Sequence, residues 1–282
     1  MSVEILAFPS GASAERSAPG GAGGPGDRVL PVLVGCSHGT SDLTGREVVR
    51  ALLDDVRAAR PDLDVREAFV DVQQPEVADV VTSVVAPEHD LPRDAVVVPL
   101  LLSGGFHVGV DIAESVADRG PGAGHAAAGT PLGPDERLVD LLADRLAEAG
   151  VRSDDAVVIA AAGSSRPGAA RDVEQLAAGL RERHAGPVTV GYGAMATPSV
   201  PDAVAAAHAS LAVSAGAPEA SGAGPEEAPR VVVAAYLLAP GFFYDRVLEA
   251  GADVVTAPLA PDARLTEIVL DRYAEAAATL AR

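Results

Sequence analysis

The chain has 282 residues, which is enough for one large domain or two of ordinary size. Its formal net charge of -19 disfavours a nucleic-acid surface or an anionic-membrane surface, because both need a basic face. The single cysteine excludes an internal disulfide, no apolar run reaches membrane-spanning length, and the N-terminus lacks a signal-peptide pattern. We therefore expect a cytoplasmic protein with neither a nucleic-acid nor a membrane partner.

The chain begins with a segment rich in Gly, Ala, Ser and Pro, residues 1–27, which we predict to be a flexible leader. Three apolar β-type runs follow, and their alternation with helical patterns is typical of buried parallel strands. They span residues 29–36, 63–70 and 95–102. Helical patterns alternate with these runs at residues 45–60 and 75–85, the second with Pro75 at its start. The alternation predicts an α/β fold whose parallel sheet has helices on both faces.

Segments of the first half return in order in the second half. The sequence "PLGPDERLVDLLADRLAEA" (131–149) returns as "PLAPDARLTEIVLDRYAEA" (258–276), and "PLLLSGGFHVGVD" (99–111) returns as "AYLLAPGFFYDRV" (235–247). We therefore predict an internal duplication of two tandem three-layer α/β/α units, each with a roughly four-stranded parallel sheet.

The predicted domains are an N-terminal unit at residues 28–150 and its duplicate at residues 151–282. We expect a monomer with two pseudo-symmetric domains, the second standing where a smaller homodimeric relative would have its partner subunit. A tract of small and acidic residues at 214–229 is predicted to be a surface insertion in the second unit.

Two histidines follow predicted strands of the first unit. His38 lies in "LVGCSHGTSD" and His107 in "PLLLSGGFHVGVDI". The carboxyl ends of parallel strands meet at one edge, where open sheets bind ligands. The second copy has Ala162 and Phe243 at the equivalent positions, so the fold does not require the imidazoles and we assign them to chemistry.

Paired imidazoles can bind a divalent transition metal and accept protons near neutral pH. Asp71, at the end of the second strand, would complete an open site; an alternative role for it is to cap the helix near Pro75. We predict that the ligand-binding loops also include Gly39, Ser103, Gly104 and Gly105, whose small side chains lower the walls of the cleft.

The remaining candidates have structural explanations. Cys36 is predicted to be a small buried residue. The other four histidines are predicted to be solvated or bonded to backbone: His89, His125, His184 and His208. A hydrolase using Ser37 or Ser103 would need a G-x-S-x-G elbow, and nucleotide binding would need a phosphate loop; the sequence has neither.

The segments "GCSHGTSD", "EAFVDVQQPEV" and "VVPLLLSGGFHVGVDI" closely resemble the sirohydrochlorin chelatases, the small class II chelatases of sirohaem and cobalamin synthesis. The resemblance covers nearly the whole chain. It implies a lyase-class enzyme that inserts Co²⁺ or Fe²⁺ into sirohydrochlorin and needs no cofactor beyond that metal substrate. His38 and His107 match the family's catalytic histidines, whereas the family usually has Glu where this chain has Asp71.

Neutral His38 and His107 could receive protons, hold the metal or do both in sequence; we favour His107 as metal ligand and His38 as metal ligand or base. The substrate carries many carboxylates, which Arg side chains or backbone N–H groups at loop-to-helix junctions would have to bind. An alternative function is a non-catalytic carrier of metal or tetrapyrrole that uses the same cleft.

Overall fold

The computed structural model of the chain describes residues 29–87, 92–105, 108–118, 120–215 and 228–280. The predicted leader, most of the 214–229 tract, His89 and His107 lie outside these residues.

The first unit contains a four-stranded parallel sheet of order β2-β1-β3-β4. Its strands are β1 (Val32–Ser37), β2 (Val65–Phe69), β3 (Ala95–Pro99) and β4 (Ala126–Ala128). Its helices are α1 (Leu43–Ala59), α2 (Val77–Val85), α3 (Ala113–Ser115) and α4 (Glu136–Glu148), with a π-helical turn over Val108–Ile112. Every residue of β1 and β3 is buried, as expected for strands covered on both faces.

The second unit repeats this arrangement with a four-stranded parallel sheet of order β6-β5-β7-β8. Its strands are β5 (Ala156–Ala161), β6 (Val188–Tyr192), β7 (Val231–Tyr236) and β8 (Val254–Val255). Its helices are α5 (Pro167–Arg181), α6 (Val200–Ala215), α7 (Phe242–Leu248) and α8 (Ala263–Leu280). The predicted α/β duplication with two separate sheets is confirmed.

Two predicted helices begin at slightly different residues. Helix α1 starts at Leu43 because Asp42 is its N-cap and accepts a hydrogen bond from Gly45 N at 2.6 Å. Helix α2 starts at Val77, so Pro75 precedes it instead of occupying its first turn. No helix among the described residues is both long and apolar enough to cross a membrane.

The last helix of each repeat packs on the sheet of the other repeat. Helix α4 contacts α5 and β7 of the second unit, and α8 contacts α1, β3 and β4 of the first. One continuous apolar cluster consequently joins side chains of both repeats. The boundary at residue 150 therefore separates the sequence repeats, whereas the packing crosses it.

Equivalent arginines in the two exchanged helices make reciprocal contacts. Arg145 in α4 donates from Nε to Pro258 O at 3.0 Å and from Nη2 to Leu259 O at 2.8 Å. Arg272 in α8 donates from Nε to Pro131 O, also at 3.0 Å. Each arginine thus holds the loop that precedes the opposite exchanged helix, which gives the two repeats a pseudo-two-fold relation.

Candidate active site

A cleft of about 890 Å³ lies between the two units. Its walls are the loops that follow the carboxyl ends of β1, β2, β3, β5, β6 and β7, together with the first turns of α1 and α7. The volume is at the upper end of the range for ligand pockets, and most of the lining is apolar. The duplication therefore places the ligand-binding edges of the two sheets opposite each other.

His38 lies directly after β1, is exposed and lines the cleft, with its Nδ1 at 3.3 Å from Gly39 O. His107 lies outside the described residues, between Gly105 and the π-helical turn that begins at Val108. Turns of this kind are frequent at functional sites. Within the described parts of the chain no cluster of three or more acidic, His or Cys side chains is placed to hold a metal. A metal site shared by His38 and His107 stays a prediction.

Asp71 lies next to His38 along the sheet edge, and its N–H donates to His38 O at 3.1 Å. Its carboxylate is exposed and accepts a hydrogen bond from Val72 N at 2.7 Å. The N-cap of α2 is Glu76, so the alternative role of Asp71 as the cap of that helix is wrong. Asp71 itself is not among the residues that line the cleft, although its backbone adjoins that of His38.

Gly39 has a structural reason to be glycine. Its φ is +89°, and a Cβ there would overlap the carbonyl oxygen of Asp71. The equivalent Gly163 has φ +88° and the same relation to the carbonyl of Ala194. The second copy keeps this glycine although it lacks the histidine, so the need for glycine comes from backbone packing and not from the openness of the cleft alone.

The other predicted loop residues divide into two kinds. Ser103 and Gly105 line the cleft. Gly104 does not line the cleft, and its N–H donates to Asp172 Oδ2 in α5 of the second unit at 2.9 Å. This bond ties the loop that precedes His107 to the opposite wall, which is a positioning role that the sequence did not indicate.

The cleft contains two charged side chains that the sequence analysis missed, Arg46 and Glu67. Arg46, in the first turn of α1, is half-buried and donates from Nε to Thr40 O at 2.7 Å. No carboxylate among the described residues forms an ion pair with it, whereas Glu67 Oε2 lies 3.5 Å from Arg50 Nε. The sequence did contain a clue to Arg46. A helix that follows a parallel strand begins at the ligand-binding edge of the sheet, so the first turn of α1 had to lie there.

The second unit presents an apolar wall where the first has its histidines. Phe243, the counterpart of His107, packs against the apolar core of that unit and closely approaches Gly193. Phe242 is 65% exposed, lines the cleft and meets Phe243 edge to face with ring centroids 5.6 Å apart. A flat apolar ligand would therefore meet polar loops on one side and aromatic rings on the other.

The residues with structural explanations behave as predicted where they are described. Nε2 of His184 is 2.7 Å from Asp155 O, and Nε2 of His208 is 3.2 Å from Gly251 O. Burial, and to a smaller extent the charge of Asp111, raise the pKa of the Cys36 thiol to about 12. The thiol is therefore neutral and unsuited to metal binding at neutral pH.

Comparison with known proteins gives one family match and several similar structures. The sequence model of the CbiX family matches residues 32–149 and again residues 156–276. No curated protein sequence matches the chain significantly.

SirB from Bacillus subtilis with Fe3+ is 22% identical, with a TM-score of 0.69, and the match covers 89% of this chain and 96% of that one. The sirohydrochlorin chelatase SirB from Bacillus subtilis subspecies spizizenii, in complex with cobalt, is 19% identical, with a TM-score of 0.67 and the same two coverages. CbiX, the terminal enzyme for biosynthesis of siroheme in denitrifying bacteria, is 17% identical, with a TM-score of 0.56 over 86% of this chain and 98% of that one. At these sequence identities, the structural similarity shows a shared fold and nothing more.

Proposed function

Since the chain belongs to the CbiX family of sirohydrochlorin chelatases, we propose that it inserts Co²⁺ or Fe²⁺ into sirohydrochlorin. The observation that carries the proposal is the cleft, which is large, mostly apolar and open at the strand ends where His38 lies. The metal ion is a substrate here, and the reaction needs no nucleotide. The second unit supplies the facing wall, so we propose that the chain acts as a monomer.

For metal insertion the protein must present a metal ion and take up protons. Two pyrrole N–H protons leave the macrocycle as the metal enters it. We assign His107 as a metal ligand and His38 as a metal ligand or proton acceptor, because neutral imidazoles can do both near neutral pH. The carboxylate of Asp71, whose backbone N–H is bonded to the carbonyl of His38, is the group we assign to support the histidines, although Glu67 is the carboxylate that lines the cleft.

Arg46 is the residue we assign to the peripheral carboxylates of the substrate. It lines the cleft, and its Nε is bonded to the Thr40 carbonyl, which orients the guanidinium group. A guanidinium group can bind a carboxylate with two parallel hydrogen bonds. A local cation of this kind offsets the repulsion between an anionic substrate and a chain of net charge -19.

The initial rate of sirohydrochlorin metallation, followed by absorption spectroscopy against a protein-free blank, tests the proposal. We expect His107→Ala to abolish the enzymatic rate and His38→Ala to reduce it severely, with circular dichroism unchanged. His208→Ala is the matched control, because that imidazole contacts the Gly251 carbonyl in the second unit and does not line the cleft.

Two results would contradict the proposal. A folded His107→Ala protein with full activity would place the chemistry elsewhere in the cleft. A wild-type protein that binds one equivalent of metal or tetrapyrrole without exceeding the rate of the blank would be a carrier and not a chelatase.

A further inference from the structure

Two large apolar side chains project into the cleft from equivalent positions of the two repeats. Val72 follows β2 and is 56% exposed, and Met195 follows β6 and is 74% exposed. Both line the cleft. Their equivalence follows from the repeat, in which residues 73–81 correspond to residues 196–204.

Both residues have the same unusual backbone conformation. Val72 and Met195 each have φ of +58°, the left-handed region that glycine and asparagine adopt readily. A β-branched valine is especially disfavoured there. Their exposure shows that core packing does not compensate for this conformation, and such outliers cluster at ligand-binding sites.

The surrounding backbone holds both turns in place. In the first unit the N–H of Asp71 donates to His38 O, and Gly39 packs against the Asp71 carbonyl. In the second unit the N–H of Ala194 donates to Ala162 O at 2.9 Å. The residue after this bonded position is therefore presented to the cleft in both units, whatever side chain it carries.

We propose that Val72 and Met195 are the paired apolar contacts that hold the conjugated ring of the tetrapyrrole, one from each unit. The inference rests on the proposed function and specifies how that substrate is recognised. A tetrapyrrole has an apolar ring and a charged periphery, so two apolar side chains in a common cleft bind the ring while Arg46 binds a carboxylate. The pair selects for a flat macrocycle and leaves the metal chemistry to the histidines.

Asparagine substitutions separate binding from folding, because Asn tolerates positive φ but lacks the apolar surface. We expect Val72→Asn and Met195→Asn each to raise the Kd for metal-free sirohydrochlorin about tenfold, and the double variant to raise it further. The thermal midpoint of unfolding should be unchanged or higher, since the strain is relieved. Val72→Met, which copies the second unit, should keep the wild-type Kd.

Val213→Asn is the matched control, because Val213 is 79% exposed in α6 and does not line the cleft. Binding is measured by titrating the absorption of metal-free sirohydrochlorin, and metallation is measured separately. A wild-type protein that neither binds nor metallates sirohydrochlorin would overturn the proposed function itself. An active wild type whose double Asn variant binds equally well, or unfolds at a clearly lower temperature, would overturn only the paired-contact inference.

Discussion

At the scale of single residues, a substitution of Arg46 can distinguish an effect on substrate binding from an effect on metal insertion. Its Nε is bonded to the Thr40 carbonyl and we assign its guanidinium to a substrate carboxylate, so Arg46→Gln should raise KM for sirohydrochlorin while leaving kcat of metal insertion nearly unchanged. A charge-assisted hydrogen bond contributes about 1.5–3 kcal/mol, which corresponds to roughly a 10- to 150-fold change in KM. Initial rates over a range of sirohydrochlorin concentrations measure the effect.

The control for Arg46 is Arg57→Gln in the same helix. Arg57 carries the same charge but bonds to Asp54 and to the Val65 carbonyl and does not line the cleft. Equal changes of KM in both variants would show that the effect comes from net charge alone, and Arg46 would then have no direct contact with the substrate.

Phe243, the counterpart of His107 in the second repeat, is a poorer guide to substitutions of His107 than the sequence alone suggests. Phe243 fits over Gly193 in the second unit, and the first unit has Val70 at the position of that glycine. The change from histidine to phenylalanine is therefore accompanied by a change from valine to glycine beneath it. His107→Ala is consequently a cleaner substitution than His107→Phe, because the second unit accommodates its phenylalanine with a glycine that the first unit lacks.

At the scale of secondary-structure elements, Asp155 joins the starts of β5 and β7. It is fully buried and accepts hydrogen bonds from the side chains and backbone N–H groups of Arg152 and Arg230. Burial alone would raise the pKa of this carboxyl, but the hydrogen bonds from the two arginines hold it well below its usual range. We expect Asp155→Asn to lower the free energy of unfolding by about 3 kcal/mol, because the two guanidinium groups lose their shared carboxylate.

The loss of unfolding free energy in Asp155→Asn should become smaller as the pH falls. The folded pKa of Asp155 lies below the unfolded value of about 3.9, so its contribution is complete above roughly pH 4 and declines as the pH falls further. Denaturant unfolding of wild type and Asp155→Asn should thus give a constant difference between pH 5 and 7 and a smaller one below pH 4. Asp154→Asn, an exposed neighbour 3.8 Å from Arg152, should show little difference at any pH.

The elements themselves were largely predictable, because buried parallel strands are continuous apolar runs. The predicted runs 29–36, 63–70 and 95–102 contain most of β1, β2 and β3. The edge strands β4 and β8 have only three and two residues, which is too short for a periodicity signal. The positive φ of Val72 could not be predicted, since a β-branched residue disfavours that conformation and nothing in the sequence indicates it.

The candidate site could be predicted only in part from the sequence. The sequence placed His38 and Asp71 at one sheet edge, and the structure joins their backbones by a hydrogen bond. Arg46 was missed because α1 was predicted from its apolar face, whereas the cleft receives a residue from the first turn of that helix, on its polar side. The exchange of α4 and α8 could not be predicted either, since two similar repeats offer each helix two equivalent sheets.

At the scale of the whole molecule, the exchange of α4 and α8 predicts that a substitution in either helix loosens the sheet of the other repeat. Ile268 in α8 and Leu141 in α4 are equivalent and fully buried. Each substitution to Ala should cost about 2–5 kcal/mol of unfolding free energy. Hydrogen exchange should increase most in β3 and β4 for Ile268→Ala, and in β7 for Leu141→Ala, because those are the strands that the two helices cover.

The reverse pattern would count against the exchange. If Ile268→Ala loosened β7 and Leu141→Ala loosened β3, each helix would belong to the sheet of its own repeat. Peptide-level hydrogen exchange with mass spectrometry distinguishes these outcomes, since β3 and β7 lie far apart in the chain.

The exchanged helices also affect how the protein is made. About 135 residues separate the end of β4 from the start of α8, the helix that covers the first sheet. At a synthesis rate of roughly 5–20 residues per second, the ribosome needs about 7–27 s to make that stretch. During this interval the apolar surface over β3 and β4 lacks the helix that packs on it in the finished protein, and we expect chaperones to bind that surface until the final helix emerges.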